Sequence, residues 1–200
     1  MQHVFIKGTN QRTLLLLHGT GGTEHDLLGL ASVIDAEANV LSVRGNVVEN
    51  GMPRFLRRIA DGVLDMEDLK FRTEELYEFV AQAADDYDFD KNEVIAIGYS
   101  NGANIAAAMM FYKGKVLRGA LLHHPMVPDR EVTLPSLQGV DVWIGAGTND
   151  QMCPPHESED LQQLLEQSAA SVHVDWFHFG HQLTKVEIQA AKTWYEETFK

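Results

Sequence analysis

Two hundred residues are enough for one domain with a sizeable core, and the 16 Lys and Arg against 29 Asp and Glu leave a net charge of −13. That acidity argues against nucleic acid or an anionic membrane as partner, because both require a cationic face. The lone Cys153 excludes an internal disulfide and a cysteine metal cluster, and it points to a reducing compartment.

The first ten residues, MQHVFIKGTN, lack the apolar core of a secretory signal. Residues 11–18 (QRTLLLLH) follow as a short apolar run ending at glycines, the pattern of a strand buried on both faces. Its aliphatic core, 14–17, is the longest such run and far too short to span a bilayer. A cytoplasmic protein is expected. Residues 26–37 have helical apolar spacing through Leu27, Leu30, Ala31 and Ile34, and 39–43 (NVLSV) read as a second buried strand. The next stretch, RGNVVENGMPRF, reads as a long irregular loop, and such loops are often functional.

Residues 67–87 carry the longest helical stripe, through Leu69, Leu76, Phe79, Val80 and Ala83. Further strands are expected over 93–98, 117–123, 140–145 and 171–179, with helices over 101–112, 157–170 and 183–199. Strand and helix alternate, so a mostly parallel sheet covered on both faces is predicted, one α/β domain over 1–200. In such sheets the ligand site lies beyond the carboxyl ends of the strands.

Four strand ends therefore matter. After 14–17 comes His18-Gly19-Thr20-Gly21-Gly22, a loop able to expose backbone N–H groups. A dinucleotide fingerprint fits poorly, because the next strand, NVLSVRGN, ends without an acidic residue. After 93–98 comes Gly98-Tyr99-Ser100-Asn101-Gly102, a match to G-x-S-x-G, in which serine sits on a sharp strand-to-helix turn. Chance alone would give that pattern in roughly one chain in fifteen of this length. Ser100 could equally cap the following helix. After 140–145 comes Asp150. The order Ser…Asp…His requires a later histidine, and among His156, His173, His178 and His181 only His181 lies just past a strand end. The histidines show neither metal-site spacing nor cysteine partners, so no metal or cofactor is expected.

The segments "LLLLHGTGGTEHDL", "IAIGYSNGANIA", "HHPMVP", "GAGTNDQMCPP" and "FGHQLT" together resemble the α/β-hydrolase fold and, more narrowly, the phospholipase/carboxylesterase family. The stretch "SVRGNVVENGMPRFLRR" is most similar to the bacterial hydroquinone-resistance carboxylesterases, small members without a large lid domain. The resemblance implies Ser100 as nucleophile, Asp150 as acid and His181 as base. It also implies the backbone N–H groups of Thr20 and Asn101 as an oxyanion hole. The related dienelactone hydrolases use cysteine as nucleophile, whereas this chain has Ser100 there. Met52, Arg54, Phe55 and Met126 are candidates for the substrate wall, and the cluster Arg54, Arg57 and Arg58 is rare in so acidic a chain. The expected partner is a small-molecule ester. A thioesterase, a lysophospholipase and a non-catalytic binding protein of the same fold stay as alternatives, and a homodimer is left open.

Overall fold

The computed structural model describes residues 1–60 and 63–200. Along the chain come β1 (His3–Ile6), β2 (Thr13–Leu17), α1 (Leu28–Ile34), β3 (Asn39–Val43), β4 (Val47–Glu49), β5 (Met52–Arg54), β6 (Arg58–Ala60) and β7 (Val63–Leu64). Then follow α2 (Met66–Tyr87), β8 (Val94–Tyr99), α3 (Asn101–Lys113), β9 (Gly119–His123), β10 (Asp141–Gly147), α4 (Pro155–Gln167), β11 (Ser171–Phe177) and α5 (Lys185–Phe199). Seven strands form one sheet in the order β1-β3-β2-β8-β9-β10-β11, parallel throughout except for the edge strand β1. No helix among the described residues is long and apolar enough to cross a membrane.

The apolar runs behave as two-sided strands should, since all of β2, β3 and β9 is buried. Alternation then decides which layer each side chain joins. Leu15 and Leu17 of β2 pack with Ala96, Leu122 and Ile144 beneath α2, α3 and α4. Leu14 and Leu16 face the other way, with Ile97, Leu121 and Trp143, beneath α1 and α5. Helix α3 is buried over nearly its whole circumference because α2 lies outside it. Its alanines let it approach the sheet closely, and a helix apolar all round is a core helix.

The expected strands and helices are present, with shifts at their ends. Helix α1 starts at Leu28 because Asp26 is occupied in a turn, accepting from the Thr23 N–H and hydroxyl. Helix α2 starts at Met66, where Asp65 caps the N–H groups of Glu67 and Asp68. Two features lie outside the sequence reading. Strand β1 is half-exposed and four residues long, too short for a periodic signal. It pairs antiparallel with β3, and Phe5 stacks on Tyr87 at 4.2 Å. The stretch read as irregular holds the hairpin β4–β5, and β6 and β7 pair antiparallel just beyond it; this pairing is local and leaves much of each strand exposed.

Candidate active site

Sheet hydrogen bonding runs on past the strand ends and sets the site. The Ser100 N–H donates to the His123 carbonyl, and the His124 N–H donates to the Gly145 carbonyl, both at 2.8 Å. Residues from β8, β9 and β10 are thereby held side by side at the carboxyl edge.

Ser100 sits at φ 53° and ψ −112°, a strained conformation for a residue with a Cβ. The flanking glycines make that turn possible. A Cβ on Gly102 would lie 1.9 Å from the Leu17 carbonyl oxygen, and one on Gly98 would lie 2.6 Å from the Ala103 backbone. Only glycine permits this approach. The capping alternative fails, because Ser100 makes no side-chain cap hydrogen bond to α3. Its Oγ instead lies 2.8 Å from His181 Nε2.

The other ring nitrogen, Nδ1, lies 2.7 Å from Asp150 Oδ2. Asp150 is buried, and its Oδ1 accepts from the Met152 and Cys153 N–H groups at 2.8 and 2.9 Å. Burial alone would raise its pKa, yet those N–H groups and His181 outweigh it and hold the carboxyl below the usual range. The loop bearing His181 is fixed twice over: Tyr99 donates its hydroxyl to the His181 carbonyl at 2.6 Å, and the Gly180 N–H donates to Asn149 Oδ1 at 2.8 Å.

On the opposite side, His18 is folded into the glycine loop. Its Nδ1 lies 2.6 Å from the Gly19 carbonyl, and its Nε2 accepts from the Gly45 N–H at 3.1 Å. Burial is the main cause holding this ring below the ordinary histidine pKa. A neutral ring suits one donor and one acceptor nitrogen. The Gly21 N–H donates to the Pro53 carbonyl at 2.8 Å, tying the loop to β5. Among the described residues, no carbonyl or side chain takes the N–H of Thr20 or of Asn101.

A cavity of about 610 Å³ opens onto Ser100 and His181, bordered by Thr20, Asn101, Arg54 and Met126. The remaining wall candidates lie elsewhere. Phe55 is buried against the His18 ring at 4.8 Å, and so it supports the loop from behind. Met52 is 39% exposed and its side chain covers Gly21, outside the cavity lining. Arg54 is 3% exposed. Its Nε donates to the Leu56 carbonyl at 3.1 Å, while Nη1 stands 3.4 Å from Glu49 Oε2 without a hydrogen bond. Burial, then the charge of Arg58, lowers its pKa, and Glu49 works against both. The Cys153 thiol is buried and pushed up to about 12 by burial and by the charges of Asp150 and Glu157. It stays a neutral thiol.

Three side chains at this edge carry a signal too weak to find in the sequence. Asn101 Oδ1 accepts from the Phe55 and Leu56 N–H groups at 2.7 and 3.4 Å, which anchors the Arg54 segment to the nucleophile turn. His124 Nδ1 lies 2.9 Å from Asp150 Oδ2. Glu187, in the first turn of α5, reaches both His123 and His124. Its place three residues after Thr184 reads as a capping box, in which the carboxylate would turn back to the cap residue. Only half of that box forms: Thr184 Oγ1 accepts the Glu187 N–H at 3.3 Å, and the carboxylate points inward. Gly145 makes room for it, since a Cβ there would lie 2.6 Å from Glu187 Oε1.

The parallel sheet, the strained serine turn and the Ser–His–Asp contacts at the carboxyl edge define a hydrolase of the α/β type. Solved relatives agree with that class. The carboxylesterase of Bacillus cereus is 58% identical, with a TM-score of 0.98 over 100% of this chain and 95% of that one. YahD, solved with malic acid, is 34% identical, with a TM-score of 0.95 over 98% of each chain. MhqD of Bacillus subtilis (strain 168) is 53% identical over 197 residues, 98% of either sequence. Residues 56–196 match the dienelactone hydrolase family, and the chain belongs to it. The expected hydrolase fold and carboxylesterase kinship are thus borne out, with serine where the dienelactone hydrolases were expected to carry cysteine.

Proposed function

We propose that this protein is a serine carboxylesterase acting on small esters through an acyl-enzyme. The observation that carries the reading is the unbroken contact Ser100 Oγ to His181 Nε2 at 2.8 Å and His181 Nδ1 to Asp150 at 2.7 Å. In this reading Ser100 Oγ attacks the ester carbonyl carbon as its proton passes to His181 Nε2. Asp150 fixes the tautomer and stabilises the imidazolium that forms. The oxyanion lies against the N–H groups of Thr20 and Asn101, each worth on the order of 3 kcal/mol in the transition state. Collapse expels the alcohol, protonated by His181, and water then attacks the acyl-Ser100 with His181 again as base.

A fluorophosphonate probe tests this directly. Ser100 is the expected site of labelling, and labelling undiminished by His181→Ala would refute it. Thioesters and lysophospholipids share the same intermediate, so a panel of acyl esters, aryl esters and thioesters, with Ser100→Ala as blank, ranks them. A non-catalytic binding role would give no turnover in that panel.

Arg54 gives the substrate reading its direction. Its guanidinium borders the cavity with little solvent, and Glu49 balances it incompletely. An ester that also bears a carboxylate would supply the missing partner, and YahD was solved with a dicarboxylic acid. Arg54→Gln is expected to lower kcat/KM for such an ester by about 10- to 100-fold, the worth of a charged hydrogen bond, and to leave a neutral ester of equal size within about twofold. Equal effects on both esters would end this substrate assignment. The lone buried thiol favours a reducing cytoplasm as the setting, a placement that fractionation would test.

A further inference from the structure

The hydrogen bonds at Asp150 continue inward through three more side chains. Asp150 Oδ2 meets His124 Nδ1 at 2.9 Å, His124 Nε2 lies 3.1 Å from Glu187 Oε2, and Glu187 Oε1 lies 2.5 Å from His123 Nδ1. All four side chains are at most 1% exposed. The protons can be counted. Each nitrogen of His124 faces a carboxylate oxygen, and an ionised carboxylate only accepts. With both acids ionised, the ring must therefore carry a proton on each nitrogen. His123 needs one proton only, on Nδ1, because its Nε2 is buried without a partner.

We propose that His124 is held as an imidazolium between Asp150 and Glu187 and acts as a positioning residue for the reaction at Ser100. Its second contact to Asp150 fixes the carboxylate that orients His181. Its ring stands beside that of His181, with centroids 5.1 Å apart, so Asp150 Oδ2 is held between the two histidines. The proposal rests on reading Ser100 and His181 as nucleophile and base.

The surroundings support the charge assignment. Burial works against a charged His124, yet the hydrogen bonds and charges of Glu187 and Asp150 outweigh it and raise the ring's pKa. Burial would likewise raise Glu187, but His123 and His124 bring it down to about 2. The remaining titratable groups packed around are Tyr99 at the end of β8, His123 on β9, Cys153 after β10 and His181 after β11. Tyr99 and Cys153 are both shifted upward, chiefly by burial, and stay neutral. An Asp150–His124–Glu187 unit of net charge −1 thus serves where a lone aspartate would carry the same charge. The second negative charge lies at Glu187, on the far side of the His124 ring from Asp150. His124 itself sits at φ 53°, a region that histidine and asparagine enter more readily than most residues.

Two measurements test this in the full-length protein. In a ¹⁵N-histidine spectrum, the ring whose signals vanish in His124→Asn is expected to show both nitrogens protonated at about pH 7; a single protonated nitrogen would overturn the proposal. The double variant His124→Asn/Glu187→Gln removes the charge pair without leaving an orphan. Its kcat is expected to fall by about tenfold with KM within about twofold, because Asp150 loses a hydrogen bond that orients His181. A folded double variant with kcat and KM both unmoved would also overturn it, since a role in packing alone lowers stability and leaves kcat in place. If the double variant fails to fold, the native nitrogen spectrum decides. Failure of fluorophosphonate to label Ser100 would sink the esterase reading and leave the nitrogen spectrum as a test of His124 by itself.

Discussion

Asn101→Ala probes how the nucleophile turn is joined to the substrate wall. The substitution keeps the backbone N–H of residue 101 and removes only the side chain. Asn101 Oδ1 accepts the Phe55 and Leu56 N–H groups at 2.7 and 3.4 Å, in a region where both donors are buried. An unsatisfied buried donor costs about 1–3 kcal/mol. The longer contact is weak, so the sum should fall at about 2–4 kcal/mol. The Nδ2 group adds nothing to this loss, because it is buried without a partner already. For a chain of this size each kcal/mol lowers Tm by about 2–4 °C, which gives a fall of about 4–16 °C. Scanning calorimetry measures it, and activity separates the side chain from the N–H. Neutral esters should lose less than about tenfold in kcat, because the proposed oxyanion donor is retained. Carboxylate-bearing esters should lose more in kcat/KM, because Arg54 follows the freed segment. A Tm within about 2 °C of the parent would refute the anchoring argument.

Asp150→Asn should cut kcat by about 10³- to 10⁴-fold with KM little changed, because an amide has one accepting oxygen where the carboxylate uses two, for the histidines and for the Met152 and Cys153 N–H groups, and has no charge to stabilise the imidazolium; steady-state kinetics checks it. Iodoacetamide at pH 8 should leave activity intact, since Cys153 is buried with its thiol pushed up to about 12; rapid loss paralleled by alkylation of Cys153 would contradict this. Glu187 is held below its open-chain value, so its stabilisation is fully present above about pH 4.5 and is lost as the pH falls towards 2. His124 has the opposite sign, contributing below 6.5 and losing that contribution as the pH rises through its raised value. Melts of the parent against Glu187→Gln from pH 7 to 3 should therefore converge at the acid end, and a constant gap would count against it.

What could be read from the sequence follows from how local each signal is. The buried strands announce themselves because two-sided burial demands unbroken apolar runs, as in TLLLL of β2 and GALLH of β9. The serine turn is equally local, since Gly98 and Gly102 are required within two residues of Ser100. Strand β1 and the pairs β4–β5 and β6–β7 escape because their partners, not their own periodicity, make them strands. Phe55 and Met52 were natural wall candidates by position, but Phe55 is drawn under the His18 ring and Met52 over Gly21. Glu187 could not be found at all from the chain order. It lies 63 residues from His124, in the first turn of α5, and only the folded chain brings its carboxylate to the end of β9.

Several local rules break together at this site. Ser100 and His124 each take a positive φ, and Glu187 and Asp150 are acids with almost no water. Each feature is costly alone, by about 1–3 kcal/mol for strain and more for an unpaired buried charge. They persist together because each relieves another. The strain at Ser100 is held by the ladder bond to His123, whose neighbour supplies the proton that Asp150 and Glu187 both need. Removing any single member leaves an orphan, which is why the charge pair has to be removed as a unit. A serine on a turn needs only glycines. The aspartate behind its histidine needs donors for both oxygens, and His124 supplies one of them beside His181.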